Sequence, residues 1–88
     1  PETLSFSSAY PNPFNPTTMI AMNLPYEIEV EVTIHNMLGR QIEQLASGLY
    51  LAGSYELSWD ASEHASGIYF VQMIAGEQKS IQKLMLIK

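Results

Sequence analysis

A chain of 88 residues, 47% hydrophobic and 15% charged, has the balance of one folded globular domain. So short a chain buries only roughly 60–65% of the surface its unfolded form exposes, which implies a thin core and argues against a deep substrate cleft. Nine Asp and Glu against four Lys and Arg give a net charge of −5, which disfavours nucleic acid and anionic membranes as partners, and zero cysteines exclude disulfides, thiolate zinc sites and a cysteine nucleophile.

Alternation at period two recurs along the chain and helical periodicity is almost absent, so the sequence predicts short strands joined by turns, with helix content near zero. Residues 1–16 read as a lead-in. Within it Pro11, Pro13 and Pro16 fix φ and hold the residues before them extended, which makes the segment rigid rather than a flexible linker. A stiff segment loses less entropy on docking; the expectation is that Phe14 plugs the end of a sandwich built by residues 17–88 while the asparagines hydrogen-bond nearby turn backbone. The prolines do not repeat on one face, which disfavours a polyproline ligand. Asn15-Pro16-Thr17 is no glycosylation acceptor, because proline occupies its middle position.

From Thr17 to Leu24, apolar Ile20, Met22 and Leu24 alternate with Ala21 and Asn23, and Pro25 ends the strand because it has no N–H for a ladder. From Ile28 to His35 the alternation is clearest, with Ile28, Val30, Val32 and Ile34 inward and Glu29, Glu31, Thr33 and His35 toward water. Asn36-Met37-Leu38-Gly39 reads as a turn closed by a positive φ at Gly39, leading into an antiparallel strand over 41–45. Gly48 and Gly53 bracket a connection holding Leu49, Tyr50 and Leu51. Tyr55, Leu57 and Trp59 then alternate with Ser54, Glu56 and Ser58, which makes Trp59 the central core aromatic.

Residues 60–66 read as a polar loop, and Gly67 opens a strand with Tyr69, Val71 and Met73 inward and Ile68 and Phe70 on its other, also covered, face. A turn over 75–78 leads into a closing strand over 80–87, too uniformly apolar from Leu84 to Ile87 for its inward face to be assigned. About seven short strands with turn signals every 8–12 residues specify an all-β, immunoglobulin-like antiparallel β-sandwich.

Chemistry-bearing residues are sparse. Asp60, Ser62, Glu63, His64 and Ser66 share one loop, where neighbours cannot orient one another as a catalytic triad requires. Asp60 is better suited to accept bonds from amides two or three residues onward. His35 and His64, with no third histidine or cysteine, are too few for a zinc site, and Glu27, Glu29 and Glu31 alternate along one strand face instead of converging on calcium. The glycines fall singly at turns, so no phosphate loop forms. These readings give no catalytic, cofactor or metal site, and no enzyme. No apolar run reaches the roughly 18–20 residues of a transmembrane helix, and no signal peptide opens the chain. A start at Pro1 without methionine reads as a piece cut from the end of a longer precursor.

Taken in order, YPNPFNPTT over 10–18, LPYEIEVEVTIHNMLGRQI, AGSYELSWD, SGIYFVQMIAG and the terminal KLMLIK resemble the C-terminal sorting domains of type IX secretion, found on exported proteins of the Bacteroidetes and related phyla. The pattern is also similar to the immunoglobulin-like domain of the flagellar hook-capping protein. The resemblance implies a seven-stranded sandwich that acts as an address label for an upstream passenger. It further implies recognition by an outer-membrane translocon after periplasmic passage, cleavage in many cases by a sortase-like peptidase, and a secreted or cell-surface destination. Carried over residue by residue, it marks Pro11, Asn12 and Pro13 in the lead-in, Gly67 and Tyr69, and Lys83, Leu84 and Lys88 in the last strand. Gln72 departs from the family pattern, standing where many members carry Lys or Arg, which leaves that face less basic. An accessory carbohydrate-binding module is the alternative, with Tyr26, Tyr50 and Phe70 as the only aromatics outside the core register; a structural immunoglobulin-like module shares the fold.

Overall fold

The computed structural model describes residues 3–88, so the first two residues of the expected lead-in lie outside the described residues. The described chain contains seven strands and no helix: β1 (Ser5–Phe6), β2 (Thr17–Leu24), β3 (Ile28–His35), β4 (Gln41–Tyr50), β5 (Gly53–Asp60), β6 (Gly67–Ala75) and β7 (Gln78–Leu86). They form a three-stranded sheet in the order β1-β2-β5 and a four-stranded sheet in the order β4-β3-β6-β7, every pair antiparallel. This is the expected immunoglobulin-like sandwich.

Alternation decides which side chains meet between the sheets. Ile20, Met22 and Leu24 of β2 face Val30, Val32 and Ile34 of β3 and Val71, Met73 and Ala75 of β6, all buried. The inward face of β7, not assignable from its apolar run, consists of Leu84 and Leu86, while Lys83, Met85 and Ile87 point outward. Two residues, Gly76 and Glu77, close the β6–β7 hairpin with positive φ at Gly76 alone, the pattern of a type II′ turn.

Two expectations are corrected. The strand expected over 41–45 continues through Gly48 to Tyr50, leaving only Leu51 and Ala52 to cross between sheets. The ten residues of β4 match the eight of β3 because the register skips Leu45 and Ile42, two bulges that turn both half-buried side chains toward the core. Apolar residues three apart break the period-two pattern, which is why the strand looked short. Thr33, expected in water, is buried: it lies between Gln44 and Gln72 on neighbouring strands, and its hydroxyl bonds His35 Nε2 at 2.9 Å.

Trp59 is only 2% exposed and sits in an aromatic nest, its ring centroid 5.6 Å from Phe14, 5.4 Å from Tyr69 and 5.6 Å from His64. Its Nε1 is buried without a hydrogen-bond partner, so the site rewards the ring's volume and not its polar edge. Trp59→Ala is expected to cost about 3–5 kcal/mol, enough to unfold so small a domain. Trp59→Phe, which removes the unpaired N–H and keeps an aromatic ring, should cost at least about 2 kcal/mol less. Urea denaturation of the two variants checks this; equal losses would contradict it.

Candidate functional site

The lead-in runs along the seam where the two sheets would otherwise part. On one side it bonds β2, through Ser7 N–H to the Ala21 carbonyl (2.8 Å), the reciprocal pair between Tyr10 and Met19 (2.9 and 3.0 Å), and the Thr18 hydroxyl donating to the Pro11 carbonyl (2.8 Å). On the other side it covers the outer edge of β7. Gln82 holds the lead-in with both ends of its amide, Oε1 accepting from Ala9 N–H and Nε2 donating to the Ser7 carbonyl, both at 2.8 Å. Asn12 does the same in reverse: its Nδ2 donates to the Lys83 carbonyl (2.9 Å) and its Oδ1 accepts from Met85 N–H (3.0 Å). Phe14 then forms an isolated parallel bridge with Leu86, its N–H donating to the Met85 carbonyl and its carbonyl accepting from Ile87 N–H, each 2.9 Å, while its ring enters the core. An edge strand with open N–H and C=O groups recruits other chains; here the edge is paired.

The asparagine bonds therefore go to strand backbone, not to a turn as expected for the lead-in. The turn function falls to Asn36, whose Oδ1 accepts from Leu38 N–H (2.9 Å) and Arg40 N–H (3.0 Å) and so shapes the β3–β4 hairpin around Gly39, at φ 83°.

The residues marked by resemblance fall into two groups. Pro11, Asn12, Pro13, Gly67, Lys83 and Lys88 are exposed, and Tyr69 and Leu84 are buried. Asn12 meets Lys83 directly. Lys88 docks on the β5–β6 loop, its N–H to Ser66 Oγ (3.1 Å) and its Nζ to the Ser62 carbonyl (2.6 Å). Leu84 lies opposite Tyr69 across β6 and β7, and the Tyr69 hydroxyl donates to the Ala65 carbonyl four residues upstream, the tyrosine corner of immunoglobulin-like sandwiches.

In the polar loop, Asp60 Oδ1 accepts from Ser62 N–H at 2.9 Å, the local bond expected of it, and His64 leans on the Trp59 ring. Among the described residues no group of three His, Asp or Glu side chains converges as a metal site. The aromatics of the carbohydrate reading do not form a platform. Tyr50 is half-buried and edge-on to Tyr55 at 88°, Tyr26 lies beside the start of β3, and Phe70 pairs with His35 at its far end, seven residues or roughly 23 Å away.

The secretion system C-terminal sorting domain family matches residues 8–88, and the chain belongs to that family. Among solved structures, a similar fold occurs in PorZ, an essential bacterial surface component of the type IX secretion system of Porphyromonas gingivalis. The two share 21% sequence identity and a TM-score of 0.63 over 97% of this chain and 11% of that one, a likeness of fold. This chain thus spans about a tenth of the length of that protein. No curated protein sequence matches. As a member of the family, the chain is a C-terminal sorting signal for type IX secretion, which sends its substrates out of the cell or to the cell surface.

The lead-in clamp was missed by sequence reasoning, because its partners lie 71 to 75 residues away along the chain. Asn12→Ala and Gln82→Ala are each expected to lose about 1–2 kcal/mol in urea denaturation, since each removes a donor and an acceptor together. The double variant should lose more than either. Stability unchanged in both single variants would show that water replaces the clamp at no cost.

Proposed function

We propose that this domain works as a folded address label. After passage through the periplasm, an outer-membrane translocon recognises its surface, and a sortase-like peptidase then separates it from an upstream passenger. The observation that carries the reading is the family match over residues 8–88. Asp60, Asn36 and Lys88 each bond backbone, which supports the reading that the domain serves recognition and is not an enzyme.

The recognised surface includes the exposed marked residues, Pro11, Asn12, Pro13, Gly67, Lys83 and Lys88. Tyr69 and Leu84 support it from beneath by fixing the start of β6 against the end of β7. Lys83 points outward opposite Phe70, so its charge is available without unfolding.

The domain fused behind a signal peptide and a reporter should carry the reporter across the outer membrane of a host with type IX secretion. Lys83→Glu, checked first for unchanged thermal stability, should leave the reporter in the periplasm. Equal surface delivery with and without the whole domain would rule out the sorting role and favour an accessory module of a secreted enzyme.

A further inference from the structure

The outer face of the four-stranded sheet is not a uniform polar surface. Ile68, Phe70, Gln72 and Ile74 of β6 alternate onto it, and Met85, Lys83, Ile81 and Lys79 of β7 stand opposite them in register. Where β3 ends, the hairpin over 36–40 rises beside this face, because His35 pairs with Phe70. Between the two lies a hollow of about 350 Å³ lined by Met37, Phe70, Ile81, Gln72, His35 and Asn36. Met37 is 67% exposed and Ile81 59%, so large apolar side chains meet water around a half-buried aromatic ring. These side chains gather around one hollow instead of standing singly on the surface, as apolar groups at interaction sites do.

Positive charge gathers at the same place, against the trend of a chain with net charge −5. Arg40 follows Gly39 at the rim of the hollow, and Lys83 stands directly opposite Phe70. Lys79 and Lys83 flank Ile81 at two-residue spacing and so share its face. Arg40 and Lys83 therefore stand beside the hollow and Lys79 lies two residues beyond Ile81, in register with Ile74, while no carboxylate lines the hollow itself. Glu29 and Glu31 line a separate hollow toward the start of β3, with Ser47 and Gly48. Glu31 stands in the same cross-strand row as Lys79, with Ile74 between them and roughly 10 Å across two strand spacings, but it is four residues, roughly 13 Å, from His35 and beyond a Debye length of ~8–10 Å from the row of Lys83, so Lys83 and Arg40 are the charges it leaves unneutralised in saline.

The geometry points to this hollow as the docking site for an extended, acidic segment of a partner protein that presents an apolar side chain between two carboxylates. The row Lys79-Ile81-Lys83 repeats every roughly 6.6 Å, the spacing of alternate residues in any extended chain, so Glu-Xaa-Leu-Xaa-Glu is its complement in both charge and step. The apolar side chain enters between Met37 and Ile81 onto the Phe70 ring, and the carboxylates meet Lys83 and the Lys79 or Arg40 side. This deepens the sorting function by naming the chemistry its receptor offers, and rests on it to that extent.

A peptide built on Glu-Thr-Leu-Thr-Glu, titrated into the isotope-labelled 88-residue chain, should move the resonances of Met37, Phe70 and Ile81 and leave those of Tyr26 and Leu49 in place. Lys83→Glu should weaken binding about fivefold. The Lys-Thr-Leu-Thr-Lys and Glu-Thr-Ser-Thr-Glu peptides should not bind. Equal binding of the lysine peptide, or no shift at the three residues, overturns the site. In the export assay, Ile81→Ser should cut surface delivery while Leu49→Ser, equally exposed on β4, does not. Normal delivery of a folded Ile81→Ser variant overturns the docking site and leaves the sorting role standing. Failure of the unmodified domain to deliver a reporter overturns the sorting role itself, and the peptide titration then decides the hollow alone.

Discussion

The contact of Phe14 with Trp59 is the one on which the rest of this structure depends. The ring of Phe14 lies in the core beside Trp59, while its backbone N–H and carbonyl pair with β7, so one residue fills the end of the sandwich and seals the edge of its last strand. A domain this short has little interior to spare, and a sheet with an open terminal edge invites pairing with other chains. The lead-in answers both problems. Its stiffness lowers the entropy lost on docking, and the amides of Asn12 and Gln82 fix it at two further points along β7.

This arrangement suits a domain that must be read by another protein. The seam toward β7 is closed, so the outer face of β6 and β7 is presented on a fixed backbone instead of a fraying edge. The buried members of the family motif belong to the same logic. Tyr69 anchors the crossing from β5 to β6 through the Ala65 carbonyl, and Leu84 packs opposite it, which sets where Lys83 emerges.

Much of this was legible in the sequence, and what was not has physical causes. The ends of β2 and β3 were readable residue by residue, because Pro25 stops one and the Ile28–Ile34 alternation defines the other. Trp59 was placed in the core by its register with Tyr55 and Leu57. The length of β4 was not readable, since bulges at Ile42 and Leu45 replace alternation with a spacing of three. Thr33 was misread because its burial depends on side chains from two neighbouring strands and on the His35 ring. The bonds that cover the edge of β7 depend on pairings more than 70 residues apart, which local pattern does not encode.

Native-state hydrogen exchange of the backbone amides of Phe14 and Ile87 tests most directly whether the lead-in is an integral part of the sandwich. Both are expected to exchange only by global opening, with the same protection as the amides of Val71 and Met73 in the central strand β6. Exchange of Phe14 and Ile87 at rates typical of an unprotected loop, in a domain whose β6 amides remain protected, would contradict it.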